Sequence, residues 1–288
     1  YLHFVDQHTA GHKTESPQVQ FSTVDHALLA AGAIPAGVYF GGRVAELVDQ
    51  LVDDSNWKKY AVAEGNMISF GWRPKDPANV FGDGDFRPWR WWINSAEEQL
   101  VYLLAIGAKN PAYAVPPERF YQLDRTVQQH ADMPPFVVSW NGSLFTYFFS
   151  ACWIDFAKFG ADDPSQFGIE GPRVDWFENF RRATLTHRQR CIEAADQLRT
   201  LAENRWGLAP CTGLNDKGEP SYLVPEIAPS HFGQDRWCQG TVAPYAAGTS
   251  IMFTPTVSMS ASGSQTVRYH DQDAIIHTRT TAKYRQSC

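Results

Sequence analysis

The sequence predicts an all-α fold in which two layers of helices form a toroid, with a short β-hairpin inserted near residue 65. Helical spacing of apolar residues recurs along most of the chain. Several predicted helices are apolar on nearly all sides, whereas the segments 43–53 and 117–130 keep one polar face. The chain contains neither a strand–helix repeat nor a glycine-rich phosphate-binding motif. An inner helical layer wrapped by an outer one is therefore expected, and doubly wound folds are disfavoured.

The first two predicted helices lie between residues 22 and 53. Ser22 precedes an apolar stripe that Pro35 and Gly37 interrupt, and a second amphipathic helix follows over 43–53. Between residues 60 and 72 the helical period is lost, and the glycines of this segment favour the turn of a short hairpin.

The clearest helix is predicted over residues 95–107. Ser95 and Glu98 have the spacing of a capping box, with Glu98 as its acidic partner, and Gly107 is placed to end the helix. Further helices are predicted over 117–130, 144–156 and 175–198. About eight helices can be counted in this way, whereas a toroid of six helix pairs needs twelve. An incomplete toroid is therefore an alternative, and from about residue 260 the sequence becomes irregular and polar.

Composition limits the class of protein and its partners. A chain of 288 residues with 43% hydrophobic residues can bury one large core, so a single domain is expected over 1–288. Its 25 basic residues are outnumbered by 31 acidic ones and are not clustered, which disfavours a nucleic-acid partner. The longest apolar stretch is shorter than the ~20 residues of a membrane span.

No metal or other cofactor is predicted. The five cysteines contain no C-x-x-C pair, and the spacing of His8 and His12 lacks the carboxylate of a zinc motif. Aromatic residues, in contrast, make up 14% of the chain, and many lie beside Asp, Asn, Arg or Gly. This pattern indicates surfaces on which sugar rings stack, although filling a core is the alternative for each indole. The candidates for stacking are Trp89, Trp92, Trp140, Trp153 and Trp206.

Acid–base chemistry needs carboxyl groups in apolar settings. Glu97 shares its helical face with Leu100 and Val101, so its side chain is expected to point toward a buried layer or a cavity. Burial would raise the pKa of its carboxyl group, but the helix N-terminus would lower that pKa, and the sequence leaves the net shift open. The alternative is a partly exposed glutamate of the first helical turn.

Three further acids have structural alternatives. Asp25 lies three residues after Ser22 and is a plausible cap partner. Asp155 ends an apolar segment, and if buried it must be hydrogen-bonded. Glu178 has arginines at the third and fourth positions after it, so an ordinary helix salt bridge is its commonest explanation.

Several motifs in a fixed order carry a resemblance to a known family. They are Asn141-Gly-Ser-Leu-Phe-Thr-Tyr, Trp153-Ile-Asp-Phe, Asp175-Trp-Phe-Glu-Asn-Phe-Arg-Arg, Asn204-Arg-Trp-Gly-Leu and Gly240-Thr-Val-Ala-Pro. Together with Ser22-Thr-Val-Asp-His-Ala-Leu-Leu and the glutamate before Tyr102-Leu-Leu-Ala-Ile-Gly, they resemble the glucoamylase-like (α/α)6 group, which includes bacterial endo-β-1,2-glucanases. The resemblance covers residues 1–257.

The resemblance implies an inverting glycoside hydrolase that cleaves internal linkages of a β-glucan, most closely β-1,2-glucan. It implies Glu97 as the general acid and Asp25 as a second acid, with ~6.5–9.5 Å between paired carboxyl groups to admit a water molecule. It also implies an oligo- or polysaccharide substrate and a secreted or periplasmic location, and leaves the oligomeric state open. Further substrate-binding candidates beside the tryptophans are Asn141, Asp155 and Glu178.

The sequence departs from the family pattern at two places. Ala96 and Glu98 flank the glutamate where a small polar residue and an alanine are usual, and Gln239 stands where an aspartate is expected. Two alternatives follow: a catalytically inactive glycan-binding module, and a transglycosylase on the same scaffold.

Overall fold

The computed structural model describes residues 5–9, 21–62, 64–76 and 78–258, and it gives no side-chain account of Glu64. The described chain forms two compact units. Unit 1 holds the described residues of Tyr1–Thr126, Phe149–Asp155 and Ala161–Val174, and unit 2 holds the others. The irregular segment expected from about residue 260 and the imidazole of His12 lie outside the described residues. One domain over 1–288 stays a prediction.

Unit 1 combines helices with one small sheet. Its strands are β1 (Phe21–Ser22), β2 (Gly71–Pro74) and β3 (Gly84–Phe86), and its helices are α1 (Thr23–Phe40), α2 (Gly42–Asp53), α3 (Glu98–Ile106) and α4 (Glu118–Tyr121). Helix α1 packs against both α2 and α3. The core of the unit lies where these helices meet the sheet, around Tyr102, Trp91 and Ile68.

The predicted interruption of the first helix at Pro35 and Gly37 is wrong, because α1 continues to Phe40. Pro35 removes the hydrogen bond that the carbonyl of Ala31 would accept, but packing against two other helices keeps the helix continuous. Gly37 allows close approach of a neighbour: a Cβ added there would lie 3.2 Å from Cβ of Val48 in α2. The glycine therefore serves helix packing and does not end the helix.

The β-hairpin is real but lies later in the chain than predicted. Strands β2 and β3 pair in antiparallel register, Trp72 opposite Phe86, and β1 adds a third strand on the other edge of β2. Gly65, one predicted turn residue, instead belongs to a short 3-10 turn with φ 71°. Gly84 has no room for a side chain, since a Cβ there would lie 2.1 Å from the indole of Trp72.

Helix α3 confirms the predicted 95–107 helix in its body but not in its capping. It begins at Glu98, with Glu97 at the N-cap position and no side-chain cap. The predicted helix over 117–130 is wrong, because α4 ends at Tyr121. The backbone of Asp124 instead pairs with a distant segment, donating to the carbonyl of Trp92 and accepting from the amide of Asn94.

Unit 2 is built around one long helix. Its strands are β4 (Val127–Gln128), β5 (Phe136–Val137), β6 (Cys211–Leu214) and β7 (Pro220–Leu223), and its helices are α5 (Phe145–Phe148), α6 (Trp176–Glu193) and α7 (Pro244–Thr249). Strands β4 and β5 form one antiparallel hairpin, and β6 and β7 form another. Phe180 of α6 packs against Phe253, Trp176 and Phe156 at the centre of the unit.

The two helices predicted over 144–156 and 175–198 have different outcomes. The first is wrong beyond α5: a 3-10 turn, Ser150–Cys152, follows, and it belongs to unit 1. The second is confirmed in α6, where the carboxylate of Asp175 caps the helix by accepting from the amide of Glu178 at 3.0 Å. The cap residue and the amphipathic pattern of α6 thus predict this helix correctly.

Buried polar contacts fix the turn at Gly142 in unit 2. Gly142 has φ 67°, and a Cβ there would lie 1.8 Å from the carbonyl oxygen of Ile227, so only glycine fits. The imidazole of His187 bridges this turn to the next segment: Nε2 accepts from the amide of Leu208 at 2.9 Å, and Nδ1 lies 3.3 Å from the Gly142 carbonyl. Burial lowers the pKa of His187 to about 4, so this histidine is neutral and stabilises the turn through its hydrogen bonds.

The described chain combines helices with three small sheets, so the prediction of a single β insertion in an all-α fold was incomplete. The arrangement of helices as a toroid stays a prediction. Within the described ranges, none of the helices has both the length and the hydropathy that crossing a membrane requires.

Candidate active site

The turn that carries Glu97 is held by buried amide groups of unit 1. The backbone amide of Asn94 donates to the carbonyl of Asp124 at 2.9 Å, and the side-chain amide of Gln99 donates to Oδ1 of Asn94 at 3.2 Å. Asn94 and Gln99 are both fully buried. The carbonyl of Glu97 accepts from the amide of Leu100 at 3.1 Å. The backbone at Glu97 is therefore fixed on both sides.

Asp25 is placed by the start of α1. Oγ1 of Thr23 donates to the carbonyl of Ser69 at 2.8 Å and accepts from the indole N–H of Trp91 at 2.8 Å. The amide of Asp25 points toward Oγ of Ser22 at 3.4 Å, a long capping contact. These bonds fix the first turn of the helix, on which Asp25 lies half-buried.

Glu97 and Asp25 influence each other electrostatically. Glu97 keeps part of its surface accessible, but surrounding protein removes enough water that burial raises the pKa of its carboxyl group to about 8, with the negative charge of Asp25 as the second cause. Both influences raise the pKa, in the direction opposite to that expected from the helix N-terminus. Glu97 is therefore mostly protonated at neutral pH, as a general acid must be.

Glu98 is a second carboxyl group beside Glu97, but it is fully enclosed. Only 3% of it is exposed, and burial raises its pKa well above the usual value, with the charge of Glu97 adding to the rise and the amides of Glu98 and Ile93 opposing it. Among the described residues, its Oε2 has no hydrogen-bond partner. Glu98 is thus an enclosed neutral acid and gives substrate no surface, whereas Glu97 does.

Tyr102 is a buried structural residue whose hydrogen bonds the sequence analysis missed. Its hydroxyl accepts from the amide of Ile68 at 3.0 Å and donates to the carbonyl of Trp91 at 2.9 Å, so it ties α3 to the segments beside the sheet. A tyrosine in an otherwise aliphatic helical run was the available signal, because a buried hydroxyl needs polar partners.

Three of the predicted stacking residues expose ring surface in unit 1. Trp89 is 51% exposed, Trp153 44% and Trp92 39%. The guanidinium group of Arg87 lies 4.4 Å from the ring centroid of Trp89, which holds one face of that indole. Trp153 lines an open apolar cavity of about 1000 Å³ with side chains of α1 and α3. These three indoles have surface available to a sugar ring.

The remaining candidates lie elsewhere or are enclosed. Trp206 is 0% exposed in the core of unit 2, so its predicted stacking role is wrong: it has no free ring face. Asn141 is also fully buried, and its Oδ1 accepts from the amide of Ser143 at 2.9 Å. Trp140, in the same unit, is half-buried and has edge contacts with two phenylalanines. Asp155 is exposed, so the condition of burial considered for it does not apply.

Glu178 forms the helix salt bridge that its spacing indicates. Its carboxylate lies 2.7 Å from Nε of Arg181 and 2.9 Å from Nε of Arg182. The bond to Arg181 is the largest cause that lowers the pKa of Glu178 to about 2. Glu178 is charged and paired at neutral pH and has no proton to give, and its two arginine partners favour a stabilising role in unit 2 over the predicted contact with substrate.

The side chain at position 239 is an amide where a carboxylate was expected, but it contacts the carboxylate of another residue. Gln239 is exposed in a turn with φ 53°, and its side-chain amide donates to a carboxylate oxygen of Asp216. Asp216 is a residue that the sequence analysis did not single out. Within the described chain, no group of three or more His, Cys, Asp or Glu residues is arranged to hold a metal ion.

A sequence comparison gives the family to which this chain belongs. Residues 90–278 match the family described as "Putative glucoamylase", and this span exceeds half of the chain. The chain therefore belongs to that family. No curated protein matches the sequence.

Solved structures resemble the chain in fold. A putative glucoamylase from Bacteroides fragilis superposes with a TM-score of 0.68 at 20% sequence identity, and the match covers 91% of this chain and 59% of that protein. A β-1,2-glucanase from Parabacteroides distasonis superposes with a TM-score of 0.67 at 21% sequence identity, and the match covers 90% of this chain and 38% of that protein. An endo-β-1,2-glucanase from Chitinophaga pinensis, in complex with sophorotriose and glucose, superposes with a TM-score of 0.61 at 20% sequence identity. This match covers 84% of this chain and 54% of that protein. The chain thus spans less than two thirds of each of these proteins, and the likeness shows a shared fold.

Proposed function

We propose that this protein is a glycoside hydrolase that cleaves internal linkages of β-1,2-glucan with inversion at the anomeric carbon. Family membership and the folds of two β-1,2-glucanases support the substrate class. A secreted or periplasmic location is part of the proposal, since that is where an extracellular glucan would be met.

One observation carries the proposal: an accessible glutamate that holds its proton at neutral pH beside a second carboxylate. Glu97, with a pKa of about 8, has a proton to donate, and Asp25 is near enough to raise that pKa. Two carboxyl groups in unlike environments are what acid-assisted cleavage of a glycosidic bond requires.

The reaction proceeds in one displacement. Glu97 gives its proton to the glycosidic oxygen as the bond to the anomeric carbon breaks, and a water molecule attacks that carbon from the opposite face. A carboxylate of the protein accepts a proton from this water. Asp25 is the second carboxyl group proposed for the site. The exposed indoles of Trp89, Trp92 and Trp153 are the proposed stacking surfaces for glucosyl units.

The test is reducing-end release from β-1,2-glucan, with β-1,3- and α-1,4-glucans as linkage controls. We expect activity on the first alone, products of intermediate length, and an initial product anomer opposite to that of the substrate linkage, measured by NMR. Glu97→Gln should lower the rate at which reducing ends are released by about 10²–10⁴-fold. Glu46→Gln is the matched control, because Glu46 is an exposed glutamate of α2 in the same unit, paired with Arg43.

A second candidate function is supported by the absence of a carboxyl group at position 239. If the water-activating base normally comes from that position, this chain binds glucan without cleaving it. Calorimetry of glucan binding, combined with the reducing-end assay, distinguishes the two functions. If the wild type and Glu97→Gln both bind glucan and neither releases reducing ends, the binding module is favoured and the hydrolase is rejected.

A further inference from the structure

Two cysteines of unit 2 lie at the same end of the β6–β7 hairpin. Cys211 is the first residue of β6 and pairs in register with Leu223. Side chains at alternate positions of a strand share a face, so Cys211 and Gly213 present the same face of β6. A Cβ added at Gly213 would lie 3.1 Å from Cγ2 of Thr241, which shows that the 238–241 turn packs on this face.

Cys238 begins that turn and points at the hairpin. Its thiol accepts a hydrogen bond from the backbone amide of Val224, the residue after the cross-strand partner of Cys211. The carbonyl of Cys238 in turn accepts from the amide of Thr241 at 3.0 Å and from its hydroxyl at 2.8 Å. Both thiols are therefore directed to one corner, where β6, β7 and the turn meet.

We propose that Cys211 and Cys238 are a redox-active pair that closes to an intramolecular disulfide on reaction with a small disulfide such as oxidised glutathione. One thiolate attacks the oxidant and releases one glutathione thiolate, forming a mixed disulfide. The second thiolate then attacks the protein sulfur of that bond and releases the second glutathione. Two cysteine thiols are oxidised, one glutathione disulfide is reduced to two thiols, and two protons leave the protein.

The other described cysteines do not fit this role. Cys191 is 0% exposed within α6, and Cys152 is exposed but belongs to unit 1. Cys211 and Cys238 are both half-buried, so a small oxidant reaches them. Burial is the first cause that raises the pKa of each thiol, and the presence of Cys238 is the second cause for Cys211. Oxidation should therefore be slow at neutral pH and faster as pH rises.

Closing the pair would add a covalent link to a turn that is held only by hydrogen bonds among those described. Cys238 and Gln239 both have positive φ, 47° and 53°, a backbone conformation that side chains disfavour. A covalent link from this turn to β6 restricts the unfolded chain and should raise the unfolding temperature. The same link would hold the segment that carries Gln239.

The experiment uses the full chain, incubated at pH 8 with oxidised or reduced glutathione. Free thiols are then counted after unfolding, and bridged peptides are sequenced by mass spectrometry without reduction. We expect two thiols fewer in the oxidised sample, one peptide linking Cys211 to Cys238, and a higher unfolding temperature that reduction reverses. Cys211→Ser and Cys238→Ser should each prevent the bridge and leave the partner cysteine bearing glutathione.

Cys152→Ser is the matched control and should bridge as the wild type does. Separate glutathione adducts on Cys211 and Cys238 without a bridge would overturn the proposal. So would a bridge from either residue to Cys152, Cys191 or Cys288. Because all readouts concern the thiols and the unfolding temperature, the result is independent of whether the protein hydrolyses glucan.

Discussion

Glu97 in unit 1 and Glu178 in unit 2 occupy similar places in the backbone but have opposite electrostatics. Each lies at the beginning of a helix, Glu97 at the N-cap position of α3 and Glu178 in the first turn of α6. Burial and Asp25 raise the pKa of Glu97 to about 8, whereas bonds to two arginines lower that of Glu178 to about 2. At neutral pH one carboxyl group holds a proton, and the other is charged.

The cause of the difference is visible in the residues three and four positions further along each helix. After Glu97 these are Leu100 and Val101, both buried, and after Glu178 they are Arg181 and Arg182. Apolar neighbours desolvate a carboxyl group, while guanidinium groups stabilise its anion. The helix N-terminus favours the anion in both cases, so the side-chain neighbours decide the protonation state of each glutamate.

The largest expected effect separates the two residues by activity. Glu97→Gln should lower the rate of glucan cleavage by about 10²–10⁴-fold, the range typical of a lost general acid. Glu178→Gln should leave cleavage nearly unchanged and lower the free energy of unfolding by only about 0.5–1 kcal/mol, because the pair is partly exposed. Initial rates and urea unfolding measure the two quantities. A comparable loss of activity in both variants would contradict the distinction.

The pH dependence of stability should have opposite signs for the two carboxyl groups. Between about pH 4.5 and 8 folded Glu97 keeps a proton that the unfolded chain releases, so its contribution to stability falls as pH rises, on the order of 1 kcal/mol per pH unit. The stabilisation that the ionised Glu178 carboxylate contributes is fully present above about pH 4.5 and is lost as pH falls toward 2. Urea unfolding of the wild type and Glu97→Gln across pH 4.5–8 should show a flatter slope in the variant; identical slopes would argue against a raised pKa.

A smaller effect comes from giving Glu178 the apolar neighbours of Glu97. The double variant Arg181→Leu with Arg182→Leu should raise the pKa of Glu178 from about 2 toward its usual value, since the first cause of its depression is removed. Both arginines are partly exposed, so the helix should tolerate the change. Carbon-detected NMR titration reports the pKa, with Arg188→Leu on the same helix as the control. An unmoved pKa would show that the arginines are not the cause.

Local sequence predicted two helices well, α3 and α6. Asp175 and the amphipathic pattern after it gave the start of α6 correctly, and α3 lies inside its predicted range. The segment 144–156 failed because the chain passes from unit 2 to unit 1 after Phe148. The helix expected over 117–130 failed because Asp124 pairs with residues about thirty positions earlier. Neither event leaves a periodic signal in the sequence.

For the site, the residue types were predictable, but their surroundings were only partly so. The apolar face after Glu97 predicted its desolvation, and the arginines after Glu178 predicted its salt bridge. The influence of Asp25 on Glu97 depends on how α1 packs against α3, which spacing along the chain does not encode. The burial of Trp206 likewise follows from the core of unit 2, since an indole fills a core and lines a surface equally well.

The most direct test of the central claim is the pKa of the Glu97 carboxyl group, measured by NMR titration in the wild type and in Asp25→Asn. We expect a value of about 8 in the wild type and a lower value in the variant that still exceeds the ordinary 4.5, because burial is the larger cause and remains. A wild-type value near 4.5 would leave Glu97 charged at neutral pH and would contradict its assignment as the general acid.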